Sequence, residues 1–370
     1  MSKGQKWDFQ SVVSNFEFEG EFIEAKPHGF GHINDTFAVY FRKQDGSTHR
    51  YILQRINSNV FKNPEQLMEN ISGVTRYLRE KIIEANGDPL RETLNLIPTK
   101  DNRCFYKSPE GDYWRGYIFI ENACTYQVVE NLGHFNNAGK AFGKFQRLLE
   151  GYPADTLHET IPDFHNTKKR YEAFLESVKK DIKGRSAAVK DEIEFVMKRE
   201  SDTCVLVDLL NEGKLPLRVT HNDTKFNNVM IDNETGEGVC VIDLDTVMPG
   251  LSLYDFGDSI RSGANPADED EKDLSKVYMD LALFEQFTKG FLEQTRDSLT
   301  PLEIEYLPFA AKIMTFECGM RFLTDYLSGD TYFKIHREEH NLDRTRTQFK
   351  MVADMEEKFD QMKSIVKKYI

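Results

Sequence analysis

Four polar residues near the middle of the chain have the types and the spacing that phosphoryl transfer requires. His221, Asp223 and Asn228 occur as His-x-Asp-x-x-x-x-Asn in the segment RVTHNDTKFNNVMID, and Asp243 ends the apolar run VCVID. Transfer to a hydroxyl group needs a carboxylate that orients the hydroxyl and accepts its proton, together with oxygen ligands for Mg²⁺. We therefore assign Asp223 as the catalytic base, and Asn228 and Asp243 as the metal ligands.

The segment between Asn228 and Asp243 predicts how these two residues reach one metal ion. NVMID and VCVID have the character of strands around the turn residues NETGEG, so a hairpin brings their outer ends together. Because asparagine supplies a neutral oxygen, it limits charge repulsion within the site. His221 is expected to brace the loop through backbone hydrogen bonds, whereas Lys225 either contacts the transferred phosphoryl group or is a solvated surface residue.

Asp243 is also compatible with a different chemistry. Asp245 follows it in the order Asp-x-Asp behind an apolar strand, the pattern of haloacid-dehalogenase-type phosphatases, in which the first aspartate is a nucleophile. Those enzymes build a parallel sheet from strand–helix units after the motif, whereas the rest of this chain has helical periodicity. A surface loop with Asn and Asp turns is the non-catalytic interpretation of the same residues.

Composition and charge argue against several classes of partner. The 370 residues carry a formal net charge of −13, which disfavours nonspecific binding to nucleic acids or anionic membranes and makes metal ions necessary for holding a polyphosphate. No apolar run approaches the ~18 residues of a membrane span, and the first ten residues lack an apolar signal segment. The five cysteines are scattered without metal-binding spacing. We therefore expect a cytoplasmic protein with reduced thiols and, by default, a monomer.

The elements around the motif predict two lobes. In residues 1–123, alternating apolar residues predict three strands, then a helix that begins after Asn63 and Pro64, then a hairpin of CFYKS and YWRGYIFI. Residues 124–370 mostly have helical apolar spacing, as in SAAVKDEIEFVMKRESDTCVLVDLL, and the acidic hairpin lies between such segments. We therefore predict an α+β, two-lobed protein-kinase-like fold, with a small β-rich nucleotide-binding lobe and a larger, mainly helical catalytic lobe.

The nucleotide site is predicted from the β-rich lobe. The segment YIFIENA is expected to connect the lobes, and backbone groups of Phe119, Ile120 and Glu121 are expected to hydrogen-bond adenine; a plain edge strand is the alternative. In YILQRIN, Gln54 or Arg55 stands where a kinase carries its phosphate-binding lysine. Alternation along a strand places these two side chains on opposite faces, so Gln54 at that position would leave the site without the usual cation.

Beyond these motifs, the chain resembles the aminoglycoside phosphotransferase and choline kinase superfamily and, within it, the bacterial N-acetylhexosamine 1-kinases. The resemblance rests on the blocks GHIN, YILQRIN, LRVTHNDTKFNN, IDLDTVMPG, YDFGDSIRSGAN, DEKDLSKV, ECGMRFLTDYLSGD and EHNLDRTRTQ. It implies ATP- and Mg²⁺-dependent transfer of the γ-phosphoryl group to the anomeric hydroxyl of N-acetylglucosamine or N-acetylgalactosamine, giving the sugar 1-phosphate. It implies the same roles for Asp223, Asn228 and Asp243, places sugar binding in the helical lobe, and adds His32 and Arg321 as sugar contacts.

Several residues and functions keep a second interpretation. Without the resemblance, His32 and Arg321 are left unassigned: a histidine next to a strand turn is often structural, and an arginine in a helix more often pairs with a carboxylate such as Asp325, one helical turn later. Asp255 and Asp258 of YDFGD are interpreted as capping or loop-bracing acids rather than metal ligands. The functional alternatives are a kinase of the same fold for an aminoglycoside, choline or homoserine, a phosphatase that uses the Asp-x-Asp motif, and a noncatalytic nucleotide-binding module.

Overall fold

The computed structural model describes residues 7–29, 33–129 and 131–370. The chain divides into two compact units, Met1–Ala123 and Cys124–Ile370. The first unit is built on an antiparallel sheet and the second is mainly helical. This organisation confirms the predicted α+β fold class, while the nucleotide-binding and catalytic roles of the two units remain predictions.

Among its described residues, the first unit carries a six-stranded sheet and two helices. Its strands are β1 (Glu21–Pro27), β2 (Asp35–Arg42), β3 (Thr48–Ile56), β4 (Leu96–Ile97), β5 (Tyr106–Lys107) and β6 (Tyr113–Ile118), and its helices are α1 (Phe9–Val13) and α2 (Pro64–Glu84). The strands lie in the order β1-β2-β3-β6-β4, and β5 pairs with β6. The three predicted strands and the predicted hairpin are therefore confirmed.

Helix α2 begins where the sequence predicts. The side chain of Asn63 accepts a hydrogen bond from the backbone N–H of Gln66, and Pro64 occupies the first turn, where its missing N–H costs nothing. Its apolar residues recur at three- and four-residue spacing and bury one face of the helix. The buried apolar side chains are Leu67, Met68, Ile71, Val74, Leu78 and Ile82.

The second unit contains nine helices among its described residues and several short strands. The helices are α3 (Leu132–Leu148), α4 (Thr167–Lys180), α5 (Lys190–Met197), α6 (Val205–Asn211), α7 (Ser252–Gly263), α8 (Leu281–Thr295), α9 (Pro301–Ser328), α10 (His340–Glu357) and α11 (Phe359–Lys367). The strands are β7 (Ala123–Cys124, at the boundary), β8 (Arg218–Thr220), β9 (Val229–Asp232), β10 (Gly238–Val241) and β11 (Met248–Gly250). Strand β9 pairs with β10, and β8 with β11, both antiparallel.

The strand pairing differs from that of the phosphatase fold. The pairs β1–β2, β2–β3, β3–β6, β4–β6, β5–β6, β9–β10 and β8–β11 are antiparallel. A haloacid-dehalogenase-type enzyme needs a parallel sheet after its Asp-x-Asp motif, and here the motif is followed by β11 and then by helices.

One helical segment of the prediction is broken in the structure. The pattern in residues 186–210 predicts continuous helix, but α5 ends at Met197, and a tighter turn, Glu200–Cys204, precedes α6. The hydroxyl of Thr203 donates to the backbone oxygen of Glu200, 2.6 Å away. Short polar side chains in this stretch compete with the helical backbone for hydrogen bonds, and apolar spacing alone does not register that competition.

The helices of the second unit approach one another closely at glycines. A Cβ atom on Gly290 of α8 would lie 2.1 Å from the backbone oxygen of Asn136 on α3, and one on Gly139 of α3 would lie 2.5 Å from the backbone oxygen of Phe287. Helix α9 begins with a capping box between Thr300 and Glu303. No helix within the described parts of the chain is long and apolar enough to span a membrane.

Candidate functional site

The carboxylate of Asp255 fixes the loop between β8 and β9. Asp255, on α7, accepts the backbone N–H of His221 at 3.0 Å and that of Asn222 at 2.8 Å. Its Oδ2 also accepts from the side chain of Gln146 at 2.9 Å, and its backbone oxygen accepts from the hydroxyl of Thr224. Burial raises the pKa of Asp255, against the lowering effect of His221 and of these hydrogen bonds. The predicted loop-bracing role of Asp255 is confirmed.

The ring of His221 braces the loop against the hairpin, as predicted. Its Nε2 lies 2.8 Å from the backbone oxygen of Ile242, and its Nδ1 lies 3.2 Å from the backbone nitrogen of Asp223. Nδ1 therefore accepts and Nε2 donates, which assigns the proton to Nε2. The hydroxyl of Thr246 donates to the backbone oxygen of His221 at 2.6 Å. His221 thus connects the start of the loop to the residue that precedes Asp243.

Asp223 lies against a cation and an amide. Its Oδ1 is 2.8 Å from Nζ of Lys225, and its Oδ2 is 3.3 Å from Nδ2 of Asn228. Burial alone would raise the pKa of Asp223, but the charge and hydrogen bond of Lys225 hold it below its ordinary value. In turn, the negative charge of Asp223 raises the pKa of Lys225. Lys225 is therefore not a merely solvated lysine, and Asp223 is ionised near neutral pH.

Asn228 and the position of Asp243 suit a metal ion that is completed by other oxygen ligands. The backbone oxygen of Asn228 accepts from the N–H of Ile242 at 2.9 Å, which brings Asp243 next to the start of β9. The Nδ2 of Asn228 donates to Asp223, and no described residue donates to its Oδ1. That oxygen is free to act as a ligand. No three His, Cys, Asp or Glu residues in the described chain form a metal-binding group.

Asp243 has an unusual backbone conformation. Its φ of 61° and ψ of 54° lie in the left-handed region, which non-glycine residues seldom occupy. Such strain occurs most often where a side chain must be aimed for function. Asp245, two residues later, is buried in the turn that follows.

Arg321 does not pair with Asp325, the carboxylate that helical spacing favours as its partner. Asp325 instead accepts from the backbone N–H groups of residues 331–333 and from Asn341. Arg321 lies over three aromatic rings, those of Phe164, Tyr332 and Phe333, with centroid distances of 5.1 to 5.9 Å.

The guanidinium of Arg321 is therefore packed against aromatic faces, and its charge also acts on the buried carboxylate of Glu317, one helical turn earlier. No residue in the described ranges forms a hydrogen bond or an ion pair with it. A second guanidinium, that of Arg170, lies nearby. Burial is the main cause of its lowered pKa, and the charge of Arg321 lowers that pKa further. His32, the other predicted sugar contact, lies outside the described residues.

Gln54, one of the two residues predicted for the lysine position on β3, has a buried arginine beside it. Gln54 lies opposite Arg115 across the β3–β6 pair and accepts from its Nε at 3.0 Å. Arg55 points the other way, because it bridges Asp35 and Asp112. Arg115 is 1% exposed. Sequence reasoning missed Arg115, although it belongs to the predicted strand YWRGYIFI.

The segment after β6 is held by two arginines. The guanidinium of Arg50 stacks 3.7 Å above the ring of Phe119 and donates twice to the carboxylate of Glu121. Arg91 donates to the backbone oxygen of Glu121. Ile120 is buried. The backbone oxygen of Glu121, one of the groups predicted to contact adenine, thus already accepts one hydrogen bond.

Comparisons with known proteins place these features in a wider group. A family model described as APH, phosphotransferase enzyme family, matches residues 24–278. A solved microcompartment-associated aminopropanol kinase is similar over 96% of this chain and 97% of its own, with 14% identity and a TM-score of 0.61. An amicoumacin kinase in complex with AMP-PNP, Ca²⁺ and Ami covers 93% of both chains, with 12% identity and a TM-score of 0.56.

A choline kinase from Cryptosporidium parvum has the same architecture. It is similar over 95% of this chain and 96% of its own, with 18% identity and a TM-score of 0.55. At such low identity the likeness concerns the fold, which all three structures share with this chain.

Proposed function

Because the chain belongs to the phosphotransferase enzyme family, we propose that it transfers the γ-phosphoryl group of ATP to the anomeric hydroxyl of N-acetylglucosamine or N-acetylgalactosamine, which gives the sugar 1-phosphate. The observation that carries the proposal is the grouping of Asp223, Lys225 and Asn228 on one braced loop, with Asp243 brought beside it by the hairpin. In this proposal residues 1–123 bind the nucleotide, and residues 124–370 supply catalysis and sugar binding.

Asp223 has the properties of a base for an acidic hydroxyl. Its lowered pKa makes it a weak base that stays ionised. An anomeric hydroxyl is more acidic than an ordinary alcohol, so Asp223 has to orient it and accept its proton late in the transfer. Lys225 is close enough to Asp223 to neutralise the carboxylate in the free enzyme and to turn toward a transferred phosphoryl group.

Asn228 and Asp243 are the residues that would hold Mg²⁺. The free Oδ1 of Asn228 and the carboxylate of Asp243 are hard oxygen ligands, and Mg²⁺ sites of this kind take one or two protein ligands and complete their shell with phosphate and water. Mg²⁺, when bound, supplies charge neutralisation at the phosphate oxygens. This contribution matters in a chain with a net charge of −13.

The surroundings of Arg321 favour a neutral acceptor over a cationic one. An aromatic cage is a common binding site for ammonium groups, but here Arg321 itself occupies the faces of Phe164, Tyr332 and Phe333. Together with nearby Arg170, it would repel choline or an aminoglycoside. A guanidinium with unused N–H groups suits the hydroxyl and acetamido oxygens of a sugar. Sugar contacts from Arg321 and His32 are therefore part of the proposal.

In the first unit, Phe119, Ile120 and Glu121 are proposed to contact adenine through their backbone groups. Gln54 is proposed to lie beside the phosphates, with Arg115 behind it as the source of positive charge.

A panel of acceptors tests the proposal. The purified protein is incubated with ATP, Mg²⁺ and, in turn, N-acetylglucosamine, N-acetylgalactosamine, glucose, choline, ethanolamine and an aminoglycoside, and ADP release is measured. We expect turnover with the two N-acetylhexosamines and loss of that turnover in excess EDTA. Preferential turnover of choline, ethanolamine or the aminoglycoside would refute the choice of acceptor.

The matched variant in this experiment is Asp223→Asn, which keeps the shape of the side chain and removes the base. We expect it to lose turnover while binding ATP like the wild type in calorimetry. Normal turnover in Asp223→Asn would refute the catalytic assignment. ATP binding without turnover of any acceptor by the wild type would instead favour a noncatalytic nucleotide-binding protein.

A further inference from the structure

His165 contacts the loop between β8 and β9, which contains Asp223, and joins this loop to α9. The residue precedes α4 and is 7% exposed. Its Nδ1 lies 2.8 Å from Oε1 of Glu317, and its Nε2 lies 3.1 Å from the backbone oxygen of Asn222. Its ring packs on the rings of Phe164 and Tyr254. Polar contacts at both ring nitrogens and packing against two aromatic rings therefore hold the imidazole in place.

Both ring nitrogens of His165 face oxygen atoms that accept hydrogen bonds. Glu317 is 1% exposed, and its other oxygen accepts from the hydroxyl of Thr167 at 2.6 Å. Burial alone would raise the pKa of Glu317, but His165, Arg321 and Thr167 hold it below its ordinary value, so Glu317 is a carboxylate. A backbone carbonyl only accepts hydrogen bonds, so the contact with Asn222 requires Nε2 of His165 to be the donor.

The oxygen that His165 holds belongs to the peptide bond that leads into Asp223. Asn222 has a φ of 64°, in the left-handed region. Its backbone N–H is fixed by Asp255, and its side chain donates to the backbone oxygen of Thr246. The carbonyl is the remaining polar group of this strained residue. Holding it fixes the plane of the Asn222–Asp223 peptide and so the direction in which Asp223 leaves the backbone.

We propose that His165, held by Glu317, is a positioning residue that fixes Asp223 for phosphoryl transfer through its hydrogen bond to the carbonyl of Asn222. The inference rests on the proposed function only in taking Asp223 as the catalytic residue. His165 also connects the loop that contains Asp223 to the surroundings of Arg321. The ring of Phe164, next to His165, packs against the guanidinium of Arg321, and Glu317 lies one helical turn before Arg321.

Two substitutions separate the two hydrogen bonds of His165. In His165→Gln, the amide nitrogen replaces Nε2 and keeps a donor for Asn222. In His165→Asn, the shorter amide replaces Nδ1 and keeps a donor for Glu317 alone. Displacement of a catalytic group by ~1 Å costs ~10²-fold in rate. We therefore expect His165→Asn to lose ~10²-fold in kcat at unchanged KM for ATP, and His165→Gln to stay within ~5-fold of the wild type.

A merely structural role predicts a different result, because both amides leave a similar gap beside Tyr254. In that case the two variants would lose kcat in proportion to their loss of thermal stability. Equal losses of kcat in both variants, or wild-type kcat in His165→Asn, would overturn the proposal. Thermal midpoints of both variants are measured alongside, so that misfolding is recognised.

Hydrogen exchange gives a second measurement that does not depend on the acceptor. We expect the peptide covering residues 221–229 to exchange faster in His165→Asn than in His165→Gln, while peptides from α8 and α11 are unchanged. Equal exchange in the two variants would contradict the proposal even if no sugar were turned over by the wild type. Failure of the acceptor panel with the expected exchange difference would contradict the proposed function alone.

Discussion

At the scale of single residues, the chemistry depends on the balance between Asp223 and Lys225. Burial raises the pKa of the carboxyl group, and Lys225, together with smaller contributions from His221 and Arg261, more than offsets that rise. A carboxyl group with a depressed pKa is fully ionised above its ordinary value and loses its charge only as the pH falls well below it. The free enzyme therefore keeps Asp223 in its basic form through the physiological range.

Removal of the lysine tests this balance. In Lys225→Ala, the main interaction that offsets burial at Asp223 is removed, so the pKa of Asp223 rises and the base is protonated at a higher pH than in the wild type. We expect the ratio of variant to wild-type kcat/KM to fall as the pH is lowered from 8 to 5. The ratio cancels the protonation of ATP, which both proteins share.

Lys225→Arg keeps the positive charge and serves as the control. Its ratio to the wild type is expected to be independent of pH over the same range. A ratio for Lys225→Ala that does not change with pH would show that the lysine does not set the ionisation of Asp223.

Some residues of the site were predictable and others were not, for reasons of distance along the chain. His221, Asp223 and Asn228 share one short segment, and a single hairpin brings Asp243 beside it. His165 and Glu317 are 152 positions apart, and no local pattern joins them.

The pairing expected for Arg321 failed for a related reason. Helical spacing makes Asp325 a natural partner, but the loop after α9 folds back and offers Asp325 several N–H groups. A carboxylate saturated by backbone donors is not available to a cation, and the fold of a loop is not encoded in helical spacing.

At the scale of elements, close packing of α3 and α8 supports the unit that carries the loop. Gly290 has no space for a side chain, because its Cβ would lie 2.1 Å from the backbone oxygen of Asn136. Helix α3 also carries Gln146, which holds Asp255. Separation of α3 from α8 would therefore disturb the contact of Gln146 with Asp255, the residue that braces the loop between β8 and β9.

We expect Gly290→Ala to lower the free energy of unfolding by ~1–3 kcal/mol, the usual cost of forcing extra atoms into a packed interface. The measurement is urea unfolding, compared with Lys289→Ala, an exposed change on the same helix. Equal stability of the two variants would show that the helices separate without cost.

Elements with strong local signals were predicted well. The first three strands, the start of α2 after Asn63 and the hairpin ending in β6 all carry alternation, a cap or turn residues. The break between α5 and α6 was missed, because apolar spacing continues through it while the hydrogen bonds change.

At the scale of the whole molecule, membership of the phosphotransferase enzyme family identifies the reaction class but not the acceptor. The aminopropanol kinase, the amicoumacin kinase and the choline kinase share the fold of this chain at 14%, 12% and 18% identity. Their names already describe different acceptors. The proposal for the acceptor of this chain therefore rests on its own side chains, above all on those around Arg321.

The order of the two units and the net charge of −13 could be derived from the sequence. The proposed sugar acceptor was implied by the resemblance alone, because the residues around Arg321 come from α9, from the segment before α4 and from the loop after α9. Such a grouping exists only in the folded chain.

The position of the phosphate in the product tests the central claim most directly. The protein is incubated with ATP, Mg²⁺ and N-acetylglucosamine labelled with ¹³C at C1, and the product is analysed by ³¹P and ¹³C NMR. The account predicts one new phosphate resonance coupled to C1, present with the wild type and absent with Asp223→Asn. A phosphate attached to any other sugar carbon, or its formation at an undiminished rate by Asp223→Asn, would contradict the account.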